Sequence, residues 1–226
     1  MNWFKFPSGP AKTAWLSILA SALSLPVLAG EIVYDNSAHY LEKVLYSGTE
    51  YGDEINLGGV ARTVTDFIFE YYGDFIPQGD EVGRVRFYAN DGGTYAQGYT
   101  RPGTLLYESG FFPLDPGQHS QAFNVPSIVV PDTLTWTVEF RGLTMLAGDR
   151  AGLLNYNPVT VGSPSRNDFY WKKDPNGWAP HGTTSGVPLN FGARVIAVPE
   201  PTSLQFLFAS GMIVAGCGWI RRKKSA

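Results

Sequence analysis

The sequence predicts an all-β domain, a jelly-roll-like β-sandwich, over residues 30–197. Three observations carry that expectation. Apolar and polar residues alternate strictly in several segments, which is the period of a strand with one buried face. Turn formers are abundant, with 26 Gly and 16 Pro in 226 residues, and they fall between the alternating segments. Aromatic residues reach 14%, a strand-favouring composition, and no segment of this stretch has the 3.6-residue period of an amphipathic helix.

In Thr133-Leu134-Thr135-Trp136-Thr137-Val138-Glu139-Phe140 every even position is apolar and every odd one polar. A strand of that pattern points Leu134, Trp136, Val138 and Phe140 into a core and leaves the other face in water. By the same logic residues 66–71 bury Phe67, Phe69 and Tyr71, and residues 84–88 bury Val85 and Phe87. Residues 191–197 bury Phe191, Ala193, Val195 and Ala197. Shorter strands are expected at 32–34, 104–107, 121–125 and 168–171. Turns are expected at Tyr72-Gly73-Asp74, Asn90-Asp91-Gly92-Gly93, Pro102-Gly103, Asp115-Pro116-Gly117, Pro131-Asp132 and Pro175-Asn176-Gly177. About eight to ten strands of this kind imply two packed sheets.

Charged residues make up 16% of the chain, below the roughly 25% usual in soluble domains. The net charge of −3 hides an asymmetry. Residues 31–198 hold 19 acidic and 11 basic side chains, a balance of −8, while Lys5, Lys12, Arg221, Arg222, Lys223 and Lys224 lie at the ends. An acidic domain without a basic cluster argues against nucleic-acid binding, which needs Lys and Arg against phosphates. Cys217, the one cysteine, falls in the C-terminal apolar stretch. The domain therefore has no disulfide, thiolate zinc site or cysteine nucleophile, and its core alone must hold it together.

Residues 1–29 have the three parts of a secretory signal. Lys5 and Lys12 precede an apolar run over 14–25, and Val27 and Ala29 occupy the −3 and −1 positions of a cleavage site. Cleavage is expected after Ala29, with Gly30 as the alternative; the competing reading is an uncleaved anchor. At the other end Pro199-Glu200-Pro201 precedes an apolar stretch over 202–220, which has the length of a membrane-spanning helix. Arg221, Arg222, Lys223 and Lys224 follow and belong on the cytoplasmic side. Two prolines keep the motif extended, a conformation that a processing enzyme can grip.

A Pro-Glu-Pro step, one apolar helix and a terminal basic cluster, in that order, resemble the PEP-CTERM sorting tail of Gram-negative envelopes. The resemblance covers residues 198–226. It implies that Pro199, Glu200 and Pro201 are the recognition element of an exosortase, a membrane-embedded processing enzyme. It further implies a tail held transiently in the inner membrane with the domain in the periplasm. Cutting near the motif would then pass the domain to the cell surface or extracellular matrix, in bacteria that make extracellular polysaccharide. A simple single-pass anchor with a Pro-Glu-Pro linker is the competing reading. The order Val85-Arg86-Phe87-Tyr88-Ala89-Asn90-Asp91-Gly92, Pro102-Gly103-Thr104-Leu105-Leu106-Tyr107, residues 133–143 and Gly192-Ala193-Arg194-Val195 is similar to recurring β-sandwich domains of PEP-CTERM proteins. That similarity implies a fold and no activity.

The domain offers little chemistry. It has no Gly-x-Ser-x-Gly elbow, and His39, His119 and His181 lack metal-ligand spacing. Asp53-Glu54 reads as a solvated turn; within a strand the two would face opposite sides, unlike a glycosidase pair. Asn90 and Asp91, and Asp174 and Asn176, sit in turns with the oxygens and glycines that calcium prefers, and both segments are also ordinary turn sequences. No cofactor is expected, with structural calcium as the alternative. Tyr170, Trp171 and Trp178 cluster beside Lys, Asp and Asn, as in carbohydrate sites built on flat apolar platforms; the competing reading has Trp171 capping the core and Trp178 covering a loop. The expected function is that of a non-catalytic exported surface or matrix protein, with the processing enzyme, the membrane through the C-terminal helix, and then extracellular polysaccharide or other envelope components as partners. The alternatives are a carbohydrate-binding module and a secreted glycoside hydrolase or lyase.

Overall fold

The computed structural model describes residues 29–95, 98–182 and 188–200. Among them are fourteen β-strands and no α-helix. The signal h-region, Pro201, the apolar stretch 202–220 and the basic cluster 221–224 lie outside the described residues. Within them no helix is long and apolar enough to cross a membrane.

Six strands form one antiparallel sheet: β1 (Glu31–Asp35), β2 (Tyr40–Tyr46), β4 (Thr63–Phe75), β8 (Gly117–Val129), β10 (Asp149–Tyr156) and β14 (Ala193–Val198). Eight form the second: β3 (Tyr51–Asn56), β5 (Val82–Ala89), β6 (Leu105–Glu108), β7 (Phe112–Pro113), β9 (Thr133–Arg141), β11 (Ser163–Pro164), β12 (Phe169–Asp174) and β13 (Gly177–Gly182). The long strand β4 organises the first sheet. One edge pairs with β8 along nearly its whole length, and the other takes β14 on its first half and β10 on its second. In the second sheet β9 lies between β3 and β5.

The inward residues read from alternation form the core between the sheets. Phe67, Phe69, Val85, Phe87, Trp136, Val138 and Phe191 are all fully buried. Phe67 meets Phe87 edge-on at 4.9 Å and Trp136 at 5.3 Å between ring centroids, which joins the two sheets. Such pairs add about 0.5–1.5 kcal/mol each to the area they bury.

Two expectations are corrected. Tyr72-Gly73-Asp74 is no turn: all three residues lie within β4. Gly73 is there because the Asp115-Pro116 segment leading into β8 passes so close that a Cβ would sit 2.7 Å from the Asp115 carbonyl oxygen. Asp53-Glu54 is no solvated turn either. Both residues lie in β3, with Asp53 facing the core and 1% exposed.

Candidate functional site

The outer face of the second sheet was expected to be wet, because its strands carry Thr, Arg and Glu at alternate positions. It is instead covered. Thr135 and Thr137 on β9 are fully buried, and Arg86 on β5 is nearly so. The covering layer is an ion-pair network assembled by register across four strands. Arg86 on β5 pairs with Thr137 on β9, which pairs with Gly52 on β3, which pairs with Trp171 on β12.

Glu50, just before β3, is the hub. Its carboxylate accepts from Arg86 Nη1 at 2.6 Å, the Tyr88 hydroxyl at 2.8 Å and the Thr137 hydroxyl at 2.7 Å, with Lys173 Nζ at 3.4 Å. Arg86 also donates to Glu108 at 2.6 Å and to Glu139 at 3.2 Å. Arg84 and Arg141 donate to the two oxygens of Glu139. Burial opposes the charge on Arg86, but the Glu108 hydrogen bond and the Glu50 charge outweigh it and hold its proton above the ordinary arginine range. Burial, then the charge and hydrogen bond of Glu50, push the Tyr88 phenol up. Burial also opposes the Glu139 charge, yet its bonds to Arg84 and Arg141 hold it below the usual carboxylate range. The Arg86 hydrogen bond does most to lower Glu108.

Above this network opens a shallow cleft of about 390 Å³ lined by Gly48, Thr49, Glu50, Arg84, Arg86, Glu139, Arg141 and Lys173. Four cationic side chains and two carboxylates face it, and Glu108 binds Arg84 and Arg86 beside it, so the cluster carries a surplus of one positive charge on an acidic domain. Arg141 and Lys173 keep about half of their side-chain surface exposed and have donors to spare. Lys173 Nζ also lies 5.5 Å from the centre of the Trp178 ring, and Trp178 meets Tyr88 edge-on at 5.3 Å.

The structure separates the three aromatics that the sequence groups together. Tyr170 points into the core and packs on Tyr51 and Phe191. Trp171 is fully buried under Phe169, its indole nitrogen donating to Glu54 at 2.9 Å. Trp178 alone reaches the surface, half-buried at the cleft rim. No single exposed platform joins the three.

The two turns proposed for calcium are occupied by their own hydrogen bonds. Asp91 accepts from the Thr104 amide and hydroxyl, both at 2.6 Å, which lowers its pKa and fastens its loop. Asn90 Oδ1 accepts from Thr135 at 2.7 Å. Asp174 pairs with His181 at 3.0 Å, and Asn176 is exposed in the β12–β13 hairpin. Among the described residues no three His, Cys, Asp or Glu side chains gather as a metal site.

Ala29 and Gly30 are exposed just before β1, and Pro199 and Glu200 follow directly on β14. These strands pair antiparallel, with Glu31 opposite Ala197. Ala29 and Gly30, and Pro199 and Glu200, therefore leave the sandwich side by side. No family of known proteins matches the chain, and no curated protein matches it. The reading of function rests on the residues themselves.

Proposed function

We propose that this chain is an exported, non-catalytic protein of a Gram-negative cell surface or extracellular matrix, with a jelly-roll-like ectodomain delivered by exosortase-type processing. The observation that carries the reading is the ordered tail: Pro199-Glu200-Pro201, the apolar stretch 202–220 and Arg221, Arg222, Lys223 and Lys224. Its placement directly after the last strand, with Val198 as the final residue of β14, supports the reading. The motif is the first chain beyond the folded body, where an enzyme at the membrane surface can reach it. The domain waits in the periplasm on the inner membrane and then moves to the surface. Intact-mass measurement of the mature protein from its native host is expected to show loss of the residues after the motif. Glu200→Ala should leave export intact and block that loss. A mature protein that keeps residues 221–226 would make the tail a permanent single-pass anchor.

The paired state of the cleft carboxylates supports a non-catalytic domain. A glycosidase needs a carboxyl group that is still protonated near neutral pH, opposite a second one across the sugar. Glu108 and Glu139 are held below their usual range by arginines. Asp53, whose pKa is raised, is buried between the sheets.

A second reading, carbohydrate binding, is favoured by one observation: Trp178 stands partly exposed beside Lys173, which lines the arginine-rich cleft. An apolar ring face beside spare cationic donors suits a saccharide that carries carboxylates. Titration with an acidic polysaccharide such as alginate should give binding that weakens about tenfold or more in Trp178→Ala and Lys173→Ala, through loss of about 1–3 kcal/mol. Binding equal to that of a neutral glucan, or unchanged in both variants, would end this reading.

A further inference from the structure

An edge strand leaves a row of backbone N–H and C=O groups unpaired, and folded proteins close such rows with short strands, charges, prolines, bends or covering loops. Among the described residues this sandwich closes every edge but one. Loops cover β1: the Gly58 amide donates to the Val33 carbonyl at 2.6 Å, and the Asp35 amide to the Val161 carbonyl at 3.0 Å. The edge strand β2 carries Glu42 and Lys43, and Glu42, at φ 55°, bends it out of its extended course. In the second sheet β13 holds Pro180, which has no donor. The strands β6, β7 and β11 are only four, two and two residues long.

The exception is β8. Its residues from Gly117 to Asn124 pair one for one with β4 from Gly73 back to Asp66. No described strand or loop backbone bonds to their other side. The open stretch is Gly117-Gln118-His119-Ser120-Gln121-Ala122-Phe123-Asn124, about 27 Å of extended chain. It holds no Lys, Arg, Asp or Glu, no proline and no bulge, although residues 31–198 as a whole carry 19 acidic and 11 basic side chains. The closing devices return directly after it: Pro126, then Ser127 at φ 50°, with a shift of register against β4.

We propose that this open edge pairs with β8 of a second copy of the chain, antiparallel about a two-fold axis, and joins two six-stranded sheets into one. An antiparallel strand is its own complement: each outward N–H meets an outward C=O of the partner, and the shared patch closes on itself. Equal length and twist let the whole stretch pair. Charge selects the same partner. Two acidic domains repel wherever charged surfaces meet, and this edge brings no charged side chains together. The exposed side chains along the seam, Gln118, Ser120, Ala122 and Asn124, are small or uncharged. Each copy has one open edge, so association stops at the dimer. A seam of one strand pair lies at the small end of protein interfaces, below about 1,200 Å², which makes the dimer a weak one that fills where copies are crowded. The inference rests on the sheet alone and is independent of the tail.

Sedimentation equilibrium of the full chain with Cys217→Ser, in density-matched detergent, is expected to show a monomer–dimer equilibrium with a dissociation constant above about 1 μM. Ser120→Lys and Ala122→Lys set like charges across the seam and should each raise that constant about tenfold or more. Both positions are exposed, so the melting temperature of the monomer should not move. Lys43→Gln, on the opposite edge strand β2, should leave the dimer as it is. Amide hydrogen exchange over residues 118–124 should slow about threefold or more as the concentration rises through the dissociation constant, while exchange over residues 40–46 stays constant. A chain that remains monomeric up to about 1 mM would overturn the inference. So would a dimer that both lysine variants leave intact, which would place the contact on another surface.

Discussion

Glu50→Ala is expected to cost this domain about 3–5 kcal/mol of stability, the penalty of breaking a buried charge pair by removing one partner. Glu50 is 5% exposed and accepts from three strands at once: Arg86 and Tyr88 on β5, Thr137 on β9 and Lys173 on β12. Without it the Tyr88 and Thr137 hydroxyls lose their acceptor inside a covered face. Arg86 keeps Glu108 and Glu139, so its charge is not orphaned, and the loss falls at the lower end of that range. Glu50→Gln keeps the shape and one acceptor, but turns an amide toward a guanidinium; about 1–3 kcal/mol is expected. Urea unfolding followed by tryptophan fluorescence checks both. A loss below about 1 kcal/mol in Glu50→Ala would mean that the network is a surface decoration. The network also sets an acid limit. Glu139 and Glu108 are held below the ordinary glutamate value of about 4.3. Their contribution is therefore present above that value and is lost as pH falls through their folded pKa values.

That network was not legible in the sequence, for a physical reason. Its members run from Glu50 to Lys173 and meet only through strand register, which no local spacing encodes. The one local hint is Arg84 and Arg86 on the outward positions of β5, matched by Glu139 outward on β9. By contrast β4, β5, β9 and β14 were legible, because each has one core face and writes it as period-two alternation. Asp149–Tyr156 was missed because β10 is buried along most of its length, so burial selects no alternation. Tyr51–Asn56 was missed because Gly-Asp-Glu has the composition of a turn. In β3 these residues serve close packing instead: a Cβ on Gly52 would lie 1.9 Å from the Trp136 carbonyl oxygen. The aromatic cluster at 169–178 was legible as a cluster but not as two faces. Consecutive strand residues point oppositely, so Tyr170 and Trp171 were never able to share a platform.

Asp53→Asn is expected to stabilise the domain at neutral and alkaline pH by on the order of 1–3 kcal/mol, the scale of an uncompensated buried polar group. Asp53 lies between the sheets, and its one inter-strand hydrogen bond comes from the Phe191 amide at 3.3 Å. Burial drives its pKa well up; the Phe191 and Glu54 amides pull it down by less. The sign of the linkage follows. The unfolded chain releases this proton near the ordinary aspartate value of about 3.9, while the folded chain holds it to higher pH. Stability is therefore full below that value, falls as pH rises toward the folded pKa, and is flat beyond it. Asparagine carries no charge to desolvate and keeps an acceptor for the Phe191 amide, so it removes the slope. The Tyr34 hydroxyl, buried without a hydrogen-bond partner and raised first by burial and next by the Asp53 charge, should be relieved in the same variant. Melting temperatures of both proteins from pH 4 to 9 decide the matter. The two curves should meet near pH 4 and diverge above it, with the variant higher. A variant that melts lower at pH 8 would mean that the carboxylate is held by partners stronger than one long amide bond.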